Sequence, residues 1–170
     1  MWPALLAIFF IGLSAYFLTY RAIFIPLPYG NVKRILRLAN VGKKDVVYDL
    51  GCGDGRILIE AARVGAKAVG IENNPLLYWM CKRNVKKSNL ASRIKVIRGN
   101  FFKKDLHEAT VVIAYLTQKV NDSLQPKLER ELRAGTKVVS ADHTFAWKEI
   151  KRIKTGHFYT HLYKIKVMGP

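Results

Sequence analysis

The sequence predicts an α/β chain, in which one N-terminal transmembrane helix precedes a mostly parallel sheet of seven strands covered on both faces. Three observations carry this expectation. Short β-branched runs alternate with stretches of helical spacing, the first 20 residues hold no charged side chain, and a glycine cluster joins the first strand to the next helix. A length of 170 residues supports one domain with a proper core and is too short for two. Half the residues are apolar and 24% are charged, which excludes a disordered or low-complexity chain.

The elements follow in order. Trp2–Tyr20 reads WPALLAIFFIGLSAYFLTY. At about 1.5 Å per residue it nearly crosses a hydrocarbon core of about 30 Å, with Arg21 placed to snorkel and Trp2, Tyr16 and Tyr20 suited to the headgroup level. No Lys or Arg precedes it, which argues against a cleaved signal peptide. The nearby positive charges, from Arg21 to Lys44, all follow it. This predicts a single-pass membrane protein with its folded domain in the cytoplasm. Pro26-Leu27-Pro28-Tyr29-Gly30 breaks the helix and divides an anchor, residues 1–25, from a domain, residues 26–170.

Within the domain, Asn31 is expected to cap a helix carrying Val32, Ile35, Leu36 and Ala39. Asp45–Leu50 is the first strand, Ile57–Val64 is helical and Ala68–Ile71 is the second strand. Pro75 opens a helix that runs to Ser88, and Ile94–Ile97 and Val111–Ala114 are the third and fourth strands. Leu124–Leu132 reads as a helix with Gly135 as its C-cap, before a fifth strand at Lys137–Ser140. Glu149–Lys154 and Thr160–Val167 close the chain as an antiparallel pair around Thr155-Gly156.

The chemistry concentrates between the first strand and its helix, in Asp49-Leu50-Gly51-Cys52-Gly53-Asp54-Gly55-Arg56. Gly51 and Gly53 leave no Cβ in the way of a ligand, and the helix start at Gly55 presents free N–H groups. Glu72, at the end of the second strand, is placed to accept hydrogen bonds from ribose hydroxyls. The dinucleotide fingerprint is G-x-G-x-x-G, whereas here the spacing is D-x-G-x-G-x-G with acids at Asp49 and Asp54. Two carboxylates would repel a pyrophosphate but suit a ligand with an amino group and a sulfonium, favouring S-adenosyl-L-methionine over NAD.

These residues are similar to a known family. VVYDLGCGDGR, then VGIENNP, then IRGNFF, resembles the class I, seven-β-strand S-adenosylmethionine-dependent methyltransferases, whose Rossmann-like sheet has an antiparallel last strand. The run from Gly99 to Trp147 is similar to the archaeal broad-specificity protein lysine methyltransferase. It also resembles the membrane-anchored lysine methyltransferases, among them the mitochondrial enzyme acting on the c-ring protein of ATP synthase. The resemblance implies that Asp49, Gly51 and Gly53 line the methionine end of the cofactor, while Glu72 holds the ribose. It places Asn100 and Phe101 at the adenine, Tyr115 beside the methyl group and the entering amine, and Tyr29 folded over the cofactor. The family has further prolines where Gly30 and Asn31 stand here.

Transfer to lysine needs a neutral amine about 3 Å from the methyl carbon, opposite sulfur, and lysine starts protonated with a reference pKa of about 10.4. Tyr115 is expected to position the amine rather than remove its proton. His143, after the fifth strand, is a candidate proton acceptor or substrate contact. Phe145 and Trp147 either wall a lysine channel or simply pack. Cys52 and Cys81 form no CxxC or CxxH pair, and His107, His157 and His161 lack metal-ligand spacing, so no metal is proposed.

The chain carries 29 Lys and Arg against 12 Asp and Glu, a formal charge of +17, and almost all of the excess lies beyond residue 30. This basic surface fits a protein-lysine methyltransferase held against an anionic membrane face, its partners a lysine-bearing protein and the membrane. RNA is the competing acceptor, since phosphate contacts supply most nonspecific affinity. Ala114-Tyr115-Leu116-Thr117 stands where methyltransferases of adenine or glutamine commonly resemble [N/D]-P-P-[Y/F]. A small-molecule or lipid-precursor acceptor and a cofactor-binding scaffold without catalysis are the remaining alternatives.

Overall fold

The computed structural model describes residues 2–19 and 25–166, with the backbone course alone for 13–19. Five helices, α1 (Trp2–Thr19), α2 (Tyr29–Leu38), α3 (Arg56–Arg63), α4 (Pro75–Lys87) and α5 (Gln118–Glu131), accompany seven strands. The strands are β1 (Val46–Leu50), β2 (Lys67–Glu72), β3 (Ile94–Arg98), β4 (Val111–Ala114), β5 (Lys137–Ala141), β6 (Lys151–Thr155) and β7 (Phe158–Lys164). Short 3₁₀ turns sit at Ala91–Arg93 and Phe101–Lys103.

The transmembrane expectation is overturned. Among the described residues, no helix is long and apolar enough to cross a membrane. The helix α1 has 18 residues, and at about 1.5 Å each it reaches about 27 Å, short of a core of about 30 Å. A charge-free run of 20 residues is not by itself a helix of that length, and the helix described covers Trp2–Thr19. The single-pass, cytoplasm-facing placement rested on that span and falls with it. Tyr20 and Arg21, the expected headgroup and snorkelling residues, lie outside the described residues, as does the side chain of Tyr16.

The sheet order is β3-β2-β1-β4-β5-β7-β6. Ladders β1–β2, β2–β3, β1–β4 and β4–β5 are parallel, while β7 runs antiparallel to both β5 and β6. Both faces of the central strands are covered. Val111, Val112, Ile113 and Ala114 of β4 are fully buried, because alternate side chains enter opposite cores. Ile35, Val47, Leu58, Cys81, Ile113 and Val139 fill the layer beneath α2, α3 and α4. Leu50, Val112, Leu124, Leu128, Val138 and Tyr163 fill the layer beneath α5.

Two helices depart from the reading of the sequence. The helix α2 starts at Tyr29, so Asn31 lies inside it, and the cap position belongs to Pro28 (φ −55°, ψ 141°). Pro28 O accepts from Asn31 N and Val32 N at 2.9 and 3.1 Å. The helix α5 begins at Gln118 rather than Leu124. Its first turns are polar because they face backbone rather than core. Both amide atoms of Gln118 bond Thr144, Nε2 donating to its O at 2.9 Å and Oε1 accepting from its N at 3.1 Å. The same helix ends at Glu131, and Gly135 (φ 91°) turns the chain into β5 instead of capping it.

The approach of α3 to the sheet is set at Gly70 of β2, where a Cβ would lie 2.4 Å from Leu58 Cδ1 and 2.7 Å from Cys52 Sγ. The variant Gly70→Ala is expected to lose about 1–3 kcal/mol of stability by overpacking, read as a lower urea midpoint with unchanged slope.

Candidate active site

The strand β1 delivers the chain into the glycine loop at the C-terminal end of the sheet, where open α/β folds bind ligands. Gly51, Gly53 and Gly55 have φ of 81°, 54° and 84°, and Gly55 caps α3. A Cβ at Gly55 would meet Cys81 Sγ at 2.6 Å, so α4 holds the loop from behind. A Cβ at Gly51 would project against Leu116 Cδ2 at 3.6 Å, in the space between the loop and the turn after β4. That space is a cleft of about 450 Å³.

Asp49, Gly51, Glu72, Asn100, Phe101, Tyr115 and His143 all border this one cleft. Gly53 supports it from behind, donating its N–H to Glu72 Oε2 at 2.9 Å. Asn74 N donates to Glu72 Oε1 at 2.8 Å, so both carboxylate oxygens are anchored while each keeps lone-pair capacity. Asn100 Oδ1 accepts from Phe102 N at 2.9 Å and caps the 3₁₀ turn. Its NH₂ is therefore the end it can offer a base. Tyr29 is absent from the residues that border the cleft. It is 56% exposed, and the Arg56 guanidinium lies 5.0 Å from its ring centroid.

The charges of the cleft are unequal. Asp54 is paired with Arg56, whose Nη2 lies 2.6 Å from Oδ2. Asp49 is 3% exposed, and burial first, then Glu72 and Asp54, push its carboxyl from the ordinary 3.8 up to about 8. Such a buried carboxylate is costly unless a cation compensates it. The residues present therefore fit S-adenosylmethionine: a glycine cradle, an anchored acid for a diol, and a carboxylate that gains from a positive ligand.

Across the cleft, Tyr115 follows β4 and stacks on Phe158 of β7, with ring centroids 5.6 Å apart and planes at 21°. Burial first, then the charge of Asp142, push its phenol above the ordinary 10.0, so it stays neutral. Asp142 and His143 follow β5, with Asp142 in the left-handed region at φ 73°. Gln118 and Asn121 of α5 hold this turn, since Asn121 Nδ2 donates to Ser140 Oγ at 2.9 Å and Ser140 Oγ donates to His143 O at 2.6 Å. Phe145 and Trp147 pack rather than wall a channel. Their rings stack at 4.7 Å, Phe145 is 4% exposed, and Trp147 Nε1 donates to Glu129.

Reading the sequence missed Arg56. Besides Asp54, its Nη1 donates to Leu27 O and so fastens residues 25–27 at the rim of the cleft. The available signal was an arginine two residues after the acid of the glycine motif. Phe158 had none, being 43 positions from its partner in the sequence.

Comparison with known proteins decides the family. Residues 49–153, more than half of the chain, match the ANTKMT methyltransferase domain. A protein-lysine N-methyltransferase of Saccharolobus islandicus is 42% identical over 151 residues, covering 86% of this chain and 93% of that protein.

The chain belongs to the ANTKMT methyltransferase domain family.

A lysine N-methyltransferase of Caenorhabditis elegans, named for the C-type subunit of ATP synthase, is 32% identical, covering 79% of this chain and 74% of its own length. A crystal structure described as an RNA methyltransferase from Salinibacter ruber, in complex with S-adenosyl-L-homocysteine, superposes with a TM-score of 0.83. It is 40% identical and covers 86% of this chain and 97% of that one. The chain is thus a methyltransferase, and the family places Asp49 at the first residue of its matched segment.

Asp49 gives this cleft a measurable signature. Its carboxyl ionises in the unfolded chain near 3.8 and in the folded chain near 8. The stability contributed by Asp49 is therefore fully present at pH below about 4 and is lost as pH rises through about 8. The variant Asp49→Asn is expected to match the parent's melting temperature at pH 4 and exceed it by about 10 °C or more at pH 8. In the parent, binding S-adenosylmethionine at pH 7 is expected to release close to one proton as the carboxylate ionises beside a cation. Calorimetry in buffers of different ionisation heat reads this release, and the Asn variant loses it together with affinity.

Proposed function

We propose that residues 26–170 transfer the methyl group of S-adenosylmethionine to the side-chain amine of protein lysines. The 42% identity to a protein-lysine N-methyltransferase, over nearly the full length of both, is the observation that carries this reading. The cleft supports it with a division of labour between its two halves. On the β1–β2 side, Asp49 compensates the cationic end of the cofactor, Glu72 accepts from the ribose hydroxyls, and Asn100 and Phe101 flank the base. When bound there, the cofactor supplies a methyl carbon activated by its sulfonium.

On the β4–β5 side, Asp142 is an acid at the rim and draws a cationic lysine inward. The neutral phenol of Tyr115, braced by Phe158, hydrogen-bonds the amine and orients its lone pair. A phenol held in its neutral form cannot serve as a resting base, so the proton leaves by another route. His143 borders the same cleft and is the residue placed to take it. Tyr29 then acts through Arg56, bracing the rim at residues 25–27 rather than covering the cofactor itself.

A second reading has one observation in its favour, the description of the Salinibacter ruber protein as an RNA methyltransferase at 40% identity. Radiolabelled S-adenosylmethionine and a cell extract separate the two. Label that enters protein, and no longer does so when the lysines of the extract are acylated beforehand, supports lysine transfer, and label confined to RNA overturns it. The variant Tyr115→Phe is expected to lower kcat about tenfold or more on a lysine substrate, with cofactor affinity unchanged by calorimetry.

A further inference from the structure

Residues 73–104 contain nine Lys and Arg and not one Asp or Glu, while all 12 acidic residues of the chain lie elsewhere. The segment folds into α4, the turn at Ala91–Arg93, the strand β3 and the turn at Phe101–Lys103. Because β3 is the terminal strand of the sheet, these nine cations gather at one end of the molecule. Eight of them, Lys104 excepted, are exposed. Among the described residues none of the nine forms an ion pair, although Arg56, Arg63, Lys127, Lys137 and Arg152 elsewhere all do.

Aromatic surface lies among these charges. Trp79 on α4 is 62% exposed, and Leu76, one turn earlier, is 65% exposed. The Lys82 ammonium sits 5.6 Å from the Trp79 ring centroid and 5.8 Å from that of Tyr78. Lysine and arginine on β3 discourage edge-to-edge pairing of the sheet. That role leaves Lys82, Arg83, Lys86 and Lys87 of α4 unexplained, since they are away from the strand edge, and it leaves Trp79 unexplained as well.

We propose that the α4–β3 end of the molecule is a docking surface for single-stranded nucleic acid. Like charges gathered at one end of the molecule repel one another, and a polyphosphate relieves this at many points while releasing its counterions. An exposed ring among cations offers what a carboxylate-rich protein does not need, a platform for an unpaired base. A duplex hides its base faces, so the single strand is the form that uses Trp79. Asn100 and Phe101 of this segment border the cleft, but Trp79, Lys82, Arg83, Lys86 and Lys87 are not among its lining residues, and the inference holds whichever amine the cleft methylates.

The test is fluorescence anisotropy of the full chain with a labelled oligouridylate of about 16 nucleotides. Binding is expected to weaken steeply between about 50 and 200 mM salt, with a log–log slope of about −0.7 per phosphate contacted. The variant K82E/R83E/K86E/K87E is expected to lose at least about a hundredfold in affinity, with cofactor binding unchanged as the control for folding. Trp79→Ala is expected to lose about fivefold or more for the single strand while leaving any weak duplex binding unaltered. Four results overturn the proposal: no binding at low salt, indifference to the fourfold charge reversal, equal displacement by polyglutamate of matched charge, which assigns the face to an acidic protein, or preference for phosphatidylserine vesicles over the oligonucleotide.

Discussion

Both oxygens of Glu72 are engaged by backbone amides, Gly53 N at 2.9 Å and Asn74 N at 2.8 Å, and the shape of the cleft depends on this pair. One side chain thereby ties the glycine loop after β1 to the turn that starts α4, across the end of β2. Gly53 is buried, so its N–H would otherwise stand unpaired at a cost of about 1–3 kcal/mol. A carboxylate suits both amides because it only accepts, and charge-assisted bonds of this kind are the stronger ones. With the loop held in this way, Gly55 can start α3 against Cys81 and Gly51 can face the turn after β4.

The same arrangement leaves Asp49 without compensation. Its neighbours Glu72 and Asp54 share its sign, and the nearby cation Arg56 is turned to Asp54 and to Leu27 O. A fold under selection for stability alone would not keep an acid there, since a buried charge without a partner opposes folding. Strain of this kind at a ligand site is what a preorganised electrostatic pocket looks like before its ligand arrives. The carboxyl held near 8 makes the preference for a cationic ligand physical rather than only a matter of motif.

Much of this was legible in the sequence, for a definite reason. Strands such as Val111–Ala114 are apolar on both faces and bounded by breaks, and the D-x-G-x-G-x-G loop needs its residues close together in the chain. Asp49, Gly51, Glu72, Asn100, Phe101, Tyr115 and His143 accordingly share one cleft. Contacts made by distant residues were not legible. Phe158 behind Tyr115 depends on β7 lying next to β5, and the polar first turns of α5 depend on Thr144 being opposite them. Tyr29 is a different case, since it is not among the residues that border the cleft. A motif position is joined to the site by where the backbone aims it, and α2 starts at Tyr29 and sets its ring against the Arg56 guanidinium. At α1, a charge-free run and a membrane-spanning helix proved to be different quantities.

The formal charge of +17 is also distributed with purpose. Asp49, Asp54, Glu72 and Asp142, a third of all the acids in the chain, border a single cleft, while residues 73–104 carry none. A concave, low-dielectric site focuses the field of its own charges more than that of the surface around it. Glu72 and Asp142 supply this field, since Asp54 is paired with Arg56 and the Asp49 carboxyl ionises only as a cation arrives. A sulfonium or a lysine ammonium is therefore drawn into the cleft, although the molecule as a whole repels it at long range. A polyphosphate experiences the reverse, attracted to the α4–β3 end and opposed at Asp142 on the rim. This segregation favours lysine over a nucleic acid base as the methyl acceptor even on a strongly basic protein, and it lets one small domain hold a polyanion on its surface without admitting it to the site.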